Sequence, residues 1–271
     1  MVNSKLIRVL KTFSRSELKE FEKFVSLSYF ANGRIFLSLL TELKKYYPDF
    51  NSTKLTRENI YSALYPGKEF KDTVIFTITS GLYNLATEFL SVIELRSNQT
   101  LKELMINQQF HKRGLNEIFK GSFEMFYNRL YSNPYDSTNI KILFDADELA
   151  LQHYSLLGKY ENLNEAFEKH TNNFIMLIVE KLSKLIHDVY VNQWSYNINI
   201  DKITLVRFTK LFNFGKISEI TCDEKTIKIC NIYNNIINFC FEQKEEIYFV
   251  LKKEIIQNLN VYSKNEQYDL F

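Results

Sequence analysis

The chain has 271 residues, 45% apolar and 24% charged, with 34 basic and 32 acidic side chains and a formal net charge of +2. That length can bury a core of one or two domains, and its interleaved, nearly balanced charges raise no broad positive field, so nucleic acid is not the leading partner. Seven glycines and three prolines are few for this length, which disfavours turn-rich sandwiches, barrels and Rossmann-type folds and favours long helices with short connections.

A short first helix carries Leu6, Leu10 and Phe13, after which Ser14-x-x-Glu17 opens a second. This is a capping box: the hydroxyl accepts from an orphan helix amide while the glutamate reaches back to the cap residue's own amide. Phe13 and Leu18 occupy the two positions of a hydrophobic staple, and Leu18, Phe21 and Val25 face a core until Tyr29, Phe30 and Asn32-Gly33 end the run. A third helix from 32 to 47 presents Ile35 or Phe36, Leu39, Leu43 and Tyr46, and Pro48 stops it. Thr56 caps a short fourth helix that Pro66-Gly67 closes. Over 71–96 the helical period is cleanest, in Ile75, Ile78, Leu82, Leu85, Phe89 and Val92, and this helix is expected to be the spine of an N-terminal bundle.

Beyond Asn98, helices are expected at 100–112, 115–132, 135–157, 163–192, 201–213, 221–241 and 244–260, with breaks at Gly114, Asn133-Pro134, Gly158 and Gly215. The box pattern recurs at Thr100-x-x-Glu103, Thr221-x-x-Glu224 and Ser263-x-x-Glu266. The last box has five residues behind it, too few to bury an apolar face or repay nucleation, so the chain is read as cut short. Short connections make a string of antiparallel helix hairpins the simplest packing. A soft boundary falls at 96–100, giving an N-terminal module at 1–97 and a hairpin array at 98–271.

A tetratricopeptide-like register runs from Tyr154 through Leu157, Gly158 and Phe174, but it places Glu161 at the repeat's aromatic position and His170 and Leu177 at its two small ones. A looser α-solenoid fits better. The run FSRSELKEFEKFVSLSYFANGRIFLSLLTELKKYYPDF, then ENIYSALYPGKEF and SGLYNLATEFL, resembles the opening of uncharacterised all-helical bacterial proteins in which a helical N-terminal module precedes tetratricopeptide-like helix pairs. The resemblance is best over about the first ninety residues and rests on packing and turn motifs, so it implies a fold and hardly an activity. The ending NVYSKNEQYDLF is similar to an internal segment of such proteins.

Motifs for chemistry are weak. His111, His153, His170 and His187 lack metal-ligand spacing, so no metal is expected. Ser16-x-x-Lys19 has no supporting second motif, no phosphate loop or G-x-G-x-x-G occurs, and the acids at Asp145-Asp147-Glu148 and Glu245-Glu246 read as solvated faces. Neither enzyme activity nor a cofactor is expected. Cys222, Cys230 and Cys240 are an odd number without C-x-x-C spacing, which fits reduced intracellular thiols. The opening residues lack the uninterrupted apolar core of a signal peptide, and no apolar stretch approaches a bilayer span.

The aromatic residues are the remaining functional signal, because Tyr, Phe and Trp dominate protein interaction surfaces as well as cores. Tyr127, Tyr131, Tyr135, Tyr154 and Tyr160 gather around two expected hairpin turns, and Tyr190, Trp194 and Tyr196 stand where the long helix ends. The sequence therefore reads as a cytoplasmic all-α interaction scaffold that binds a protein or peptide through Tyr131, Tyr135, Tyr154, Tyr190, Trp194 or Tyr196. The alternative is a nucleic-acid-associated factor using the N-terminal module. Against it, Ile75, Phe76, Ile78 and Leu82 make the front of the would-be recognition helix apolar.

Overall fold

The box at Ser14 is complete. The Ser14 amide donates to Glu17 Oε2 at 2.7 Å and the Glu17 amide donates to Ser14 Oγ at 3.2 Å, so two otherwise orphaned donors are satisfied by side chains within one turn. Local signals of this kind set much of the architecture in a computed structural model that describes residues 1–26, 33–199, 201, 203–211, 216, 219, 221 and 223–270, the side chains of 33, 34, 210, 268 and 269 apart. The described residues form thirteen α-helices and no strand. They divide into two compact units, Met1–Gln99 and Thr100–Phe271.

The first unit holds α1 (Lys5–Leu10), α2 (Arg15–Ser26), α3 (Gly33–Lys44), α4 (Arg57–Leu64) and α5 (Asp72–Ser97). Ser4 caps α1, and Thr56 caps α4 by accepting from the Asn59 amide at 3.1 Å. The apolar stripe of α5 puts Ile75, Ile78, Leu82, Leu85 and Phe89 in the core, and α5 packs against each of the four preceding helices. Phe13, Phe21 and Phe89 form an aromatic centre with ring centroids 5.3 to 5.7 Å apart. Pro48 does not itself end α3. The helix stops at Lys44, and the amides of Lys45, Tyr46 and Tyr47 turn to the carbonyls three residues back, tightening the chain before the proline. The expected stop at Tyr29, Phe30 and Asn32 lies outside the described residues.

The second unit holds α6 (Gln99–Lys112), α7 (Asn116–Ser132), α8 (Ile140–Leu156), α9 (Leu163–Tyr196), α10 (Ile203–Leu211), α11 (Glu224–Glu242), α12 (Glu245–Gln257) and α13 (Lys264–Leu270). Two of its turns are closed by left-handed glycines: at Gly114 the Leu115 amide reaches the Phe110 carbonyl, and at Gly158 the Lys159 amide reaches the Tyr154 carbonyl, both at 3.0 Å. The break expected at Gly215 lies outside the described residues. The core runs through Phe119, Phe126, Ile140, Val179, Ile186, Ile229 and Ile237, with α9 packed on both α8 and α11.

Three sequence expectations give way here. Thr100 lies inside the first turn of α6, which starts at Gln99, so it is not the cap. Thr221 does not cap α11: Asp223 does, accepting from the Thr226 amide at 2.7 Å, while the Thr221 hydroxyl donates to Asn172 Oδ1. Residues 135–139 are not helical. The Tyr135 amide donates to the Val261 carbonyl and the Ser263 amide to the Tyr135 carbonyl, each at 2.7 Å, a parallel bridge across more than 120 residues that withdraws Tyr135 from any local helix.

Candidate functional site

The long helix α9 makes the site. Its middle turns bury Val179, Leu182 and Ile186, in the same core as Ile229, Ile232 and Tyr233 of α11. Its last turns run on to a left-handed Asn197, a residue that tolerates that conformation at a helix end; Tyr190 packs at the edge of the core, and Val191 and Trp194 are exposed past it. Between these turns and α11, α12 and α13 lies a groove of about 1050 Å³. Tyr190, Val191 and Trp194 line it from α9, Ile236 and Phe239 from α11, and Tyr248 from α12. Lys184, Tyr233 and Glu266 add polar groups to its lining.

The polar lining is held by defined bonds. Glu266 of α13 is 2% exposed, and its carboxylate accepts from the Tyr233 hydroxyl and, at 2.9 Å, from the Ser137 amide. Lys184 donates to Ser137 Oγ at 2.8 Å and pairs at 2.9 Å with Glu180, which is fully buried. Burial and the neighbouring carboxylate charge push the Tyr233 hydroxyl far above its ordinary range, so it remains a protonated donor. Burial pushes the Asp136 carboxyl up, but the hydrogen bonds from Thr138 and Ser263 and the charge of Lys184 outweigh it and leave the group below its usual range.

The structure separates the six aromatic candidates into two sets. Trp194 is 76% exposed at the groove, and Tyr190 stands beside it with its ring edge-on to Phe241 at 6.0 Å. Tyr196 is 71% exposed at the end of α9 and lies off the groove lining. The other set turns inward. Tyr135 is 2% exposed and packed edge-on against Tyr262. Tyr131 and its neighbour Tyr127 both donate to Asp147 Oδ1, at 2.6 and 2.7 Å, while the Asn173 amide donates to Asp147 Oδ2 at 2.6 Å. Tyr154 is half-buried beside His153. Tyr135 is therefore part of the interior of the second unit, while Tyr131 and Tyr154 are partly buried and packed against its core. The reason is that helices α7 to α9 close over Asp147, whose burial raises its carboxyl and whose oxygens gather the hydroxyls.

Two features of this region went unread in the sequence, one of them although a signal for it is there. Glu266 looks like a capping glutamate, yet its carboxylate goes to Tyr233 and Ser137, and only the hydroxyl half of the box forms, the Glu266 amide donating to Ser263 Oγ at 3.2 Å. Glu180 sits in the apolar run FIMLIVEKL, and a lone acid in register with buried Met176 and Ser183 is a legible sign of an internal ion pair. Distant residues also meet: the His111 and His153 rings lie 6.0 Å apart, although forty-two positions separate them. Among the described residues no group of three or more His, Cys, Asp or Glu side chains could hold a metal ion. Burial pushes the Cys230 thiol up to about 12 and raises Cys240 as well, so neither is a ready nucleophile, and Cys222 lies outside the described residues. No helix of the described residues is long and apolar enough to cross a membrane. No protein-family model matches the chain, and no curated protein or solved structure is significantly similar to it.

Proposed function

We propose that the chain is a non-enzymatic protein-interaction scaffold of the cytoplasm whose second unit docks a protein or peptide partner in the groove between α9, α11, α12 and α13. The supporting observation is the groove itself: a concave, largely apolar surface of peptide-accommodating size, carrying an exposed Trp194. Large apolar side chains left open beside a cavity are the anchors that protein interfaces use, because each removes much area from water at little loss of rotamer freedom. Tyr248, Phe249 and Val250 extend exposed apolar surface along α12. An amphipathic helix laid into such a groove would read it through positions spaced three and four apart. The succession of packed helices α8, α9, α11 and α12 is in keeping with an α-solenoid of tetratricopeptide-like hairpins, and so with the bacterial helical proteins that the N-terminal stretch resembles.

The test is affinity capture from native lysate at low and high salt with the intact chain, compared with the Trp194→Ala and Tyr190→Ala variants. A protein partner retained at high salt and lost from both variants is the expected result. A partner set unchanged by both substitutions refutes the groove, and nucleic acid captured only at low salt refutes the scaffold reading.

A further inference from the structure

Helices α9 and α11 run parallel. Thr221, just ahead of α11, donates to Asn172 near the start of α9, while Phe241 near the end of α11 lies edge-on to Tyr190 near the end of α9. Their carbonyl ends therefore stand side by side, and the two dipoles add where an antiparallel pair would cancel. Each end carries the equivalent of about half a negative charge, on carbonyls that have no partner inside the helix. Helices α1, α2, α3, α5, α6, α7 and α8 each place Arg, Lys or His in the last turn, where it complements that charge. Helices α9 and α11, like the shorter α4 and α12, place none, and theirs are the ends brought together. Lys244, just past α11, is paired with Glu242 at 2.6 Å, so that pair is neutral overall.

At that junction the two left-handed end residues, Asn197 and Gln243, line a pocket of about 390 Å³ together with Tyr190, Gln193 and Trp194. The pocket continues the groove, with which it shares Tyr190, Trp194 and Gln243. Its described lining is two aromatic rings and three carboxamides, with no charged side chain. One acceptor among them, Gln193 Oε1, has no hydrogen-bond partner among the described residues. The charges that line the groove further in are already engaged, Lys184 with Glu180 and Glu266 with Tyr233 and Ser137. We propose that this pocket takes an arginine side chain of the partner that docks in the groove. Helix carbonyl ends and aromatic faces both attract positive charge and repel a carboxylate or phosphate. A guanidinium is planar, stacks on Trp and Tyr rings, and carries five donors and no acceptor, which suits the carboxamide oxygens better than a compact ammonium does. The proposal rests on the groove as a docking surface and adds the chemistry of one anchor: apolar side chains enter beside Ile236, Phe239 and Tyr248, and the arginine sits against Trp194.

Trp194 is the single tryptophan of the chain, so its fluorescence reports on the pocket directly. The probe is N-acetyl-arginine amide, titrated into the full chain at constant ionic strength and compared with N-acetyl-citrulline amide, a neutral analogue of the same shape. The arginine probe is expected to shift Trp194 emission saturably with a Kd in the millimolar range, and the citrulline probe to bind about tenfold more weakly, because only the cation gains from the rings and the helix ends. Gln243→Gly keeps the left-handed backbone while removing one carboxamide, and is expected to weaken the arginine probe about threefold or more. Tyr196→Ala, off the lining, is expected to change nothing. Equal affinity for the two probes, no saturable shift with arginine, or wild-type affinity in Gln243→Gly overturns the proposal. The groove reading fails separately, if captured partners ignore Trp194→Ala and Tyr190→Ala. A partner lost from those variants while arginine leaves Trp194 unmoved keeps the groove and overturns the arginine pocket alone.

Discussion

Asp147→Asn preserves volume and shape while exchanging one acceptor for a donor at the most densely bonded point of the second unit. The retained oxygen can still accept from Tyr127 and Tyr131, which now stand at 2.7 and 2.6 Å. The new amide, however, faces the amide of Asn173, now 2.6 Å from Asp147 Oδ2, so two donors meet and one buried group loses its partner. A buried polar group left unsatisfied costs about 1–3 kcal/mol. Removing a buried charge gives part of this back, because burial already disfavours the ionised carboxylate. The expected net loss is about 1–2 kcal/mol, or roughly 2–4 °C per kcal/mol in melting temperature for a unit of this size. Urea unfolding followed by circular dichroism, with amide exchange along α8 as the local readout, measures it. Asp147→Asn combined with Asn173→Asp restores an acceptor opposite the new donor but removes the Asn173 amide's bond to the Tyr131 hydroxyl, so it should recover part of the loss, a coupling that a double-mutant cycle isolates. Asp147→Asn at or above wild-type stability, with no recovery in the double variant, refutes the reasoning.

Ser14→Ala removes the hydroxyl half of the only complete box described and should lower the stability of the first unit by about 1 kcal/mol, read in the same urea series. Leu82→Ala empties a fully buried position on α5 and should cost about 2–5 kcal/mol, so the two variants should differ clearly, and near-equal losses contradict the packing of α5. His153 gives a pH dependence: burial first, and the neighbouring His111 second, hold its imidazole below the ordinary value. With the folded value lowered, the unfolded chain takes up the proton first, so the contribution is whole above about pH 6.5 and is lost as the pH falls through the folded value. Thermal melts between pH 7.5 and 5 should therefore decline more steeply for wild type than for His153→Gln, and parallel declines refute the assignment.

Much of the helical order of this chain is written locally. Ser14 and Glu17 satisfy one another within a single turn, Thr56 accepts from the Asn59 amide, and Gly114 and Gly158 take the left-handed conformation that ends a helix at little steric cost, so neighbouring residues suffice to mark those boundaries. The stripe of α5 is likewise legible, because a helix with one apolar face must bury it. The same local logic misplaces the start of α8 and the cap of α11, since a cap or a register is abandoned when a stronger partner lies elsewhere. Thr221 goes to Asn172, Tyr135 goes to Val261 and Ser263, and Glu266 goes to Tyr233 and Ser137. Which aromatic residues are exposed and which hold the core together was open in the sequence for the same reason, as Tyr131 and Trp194 stand in equally aromatic surroundings along the chain. The sequence by itself determined that the chain is helical and where most helices begin and end, because those signals act over three or four residues. Only the tertiary structure decided that Tyr135 is interior, that Tyr131 packs half-buried on Asp147, that Trp194 is exposed at a groove, and that the motif near 263 ties its segment to Tyr135, Ser137 and Tyr233. These hydrogen bonds join residues from 16 to 129 positions apart, and such partners are invisible to any pattern of three or four residues.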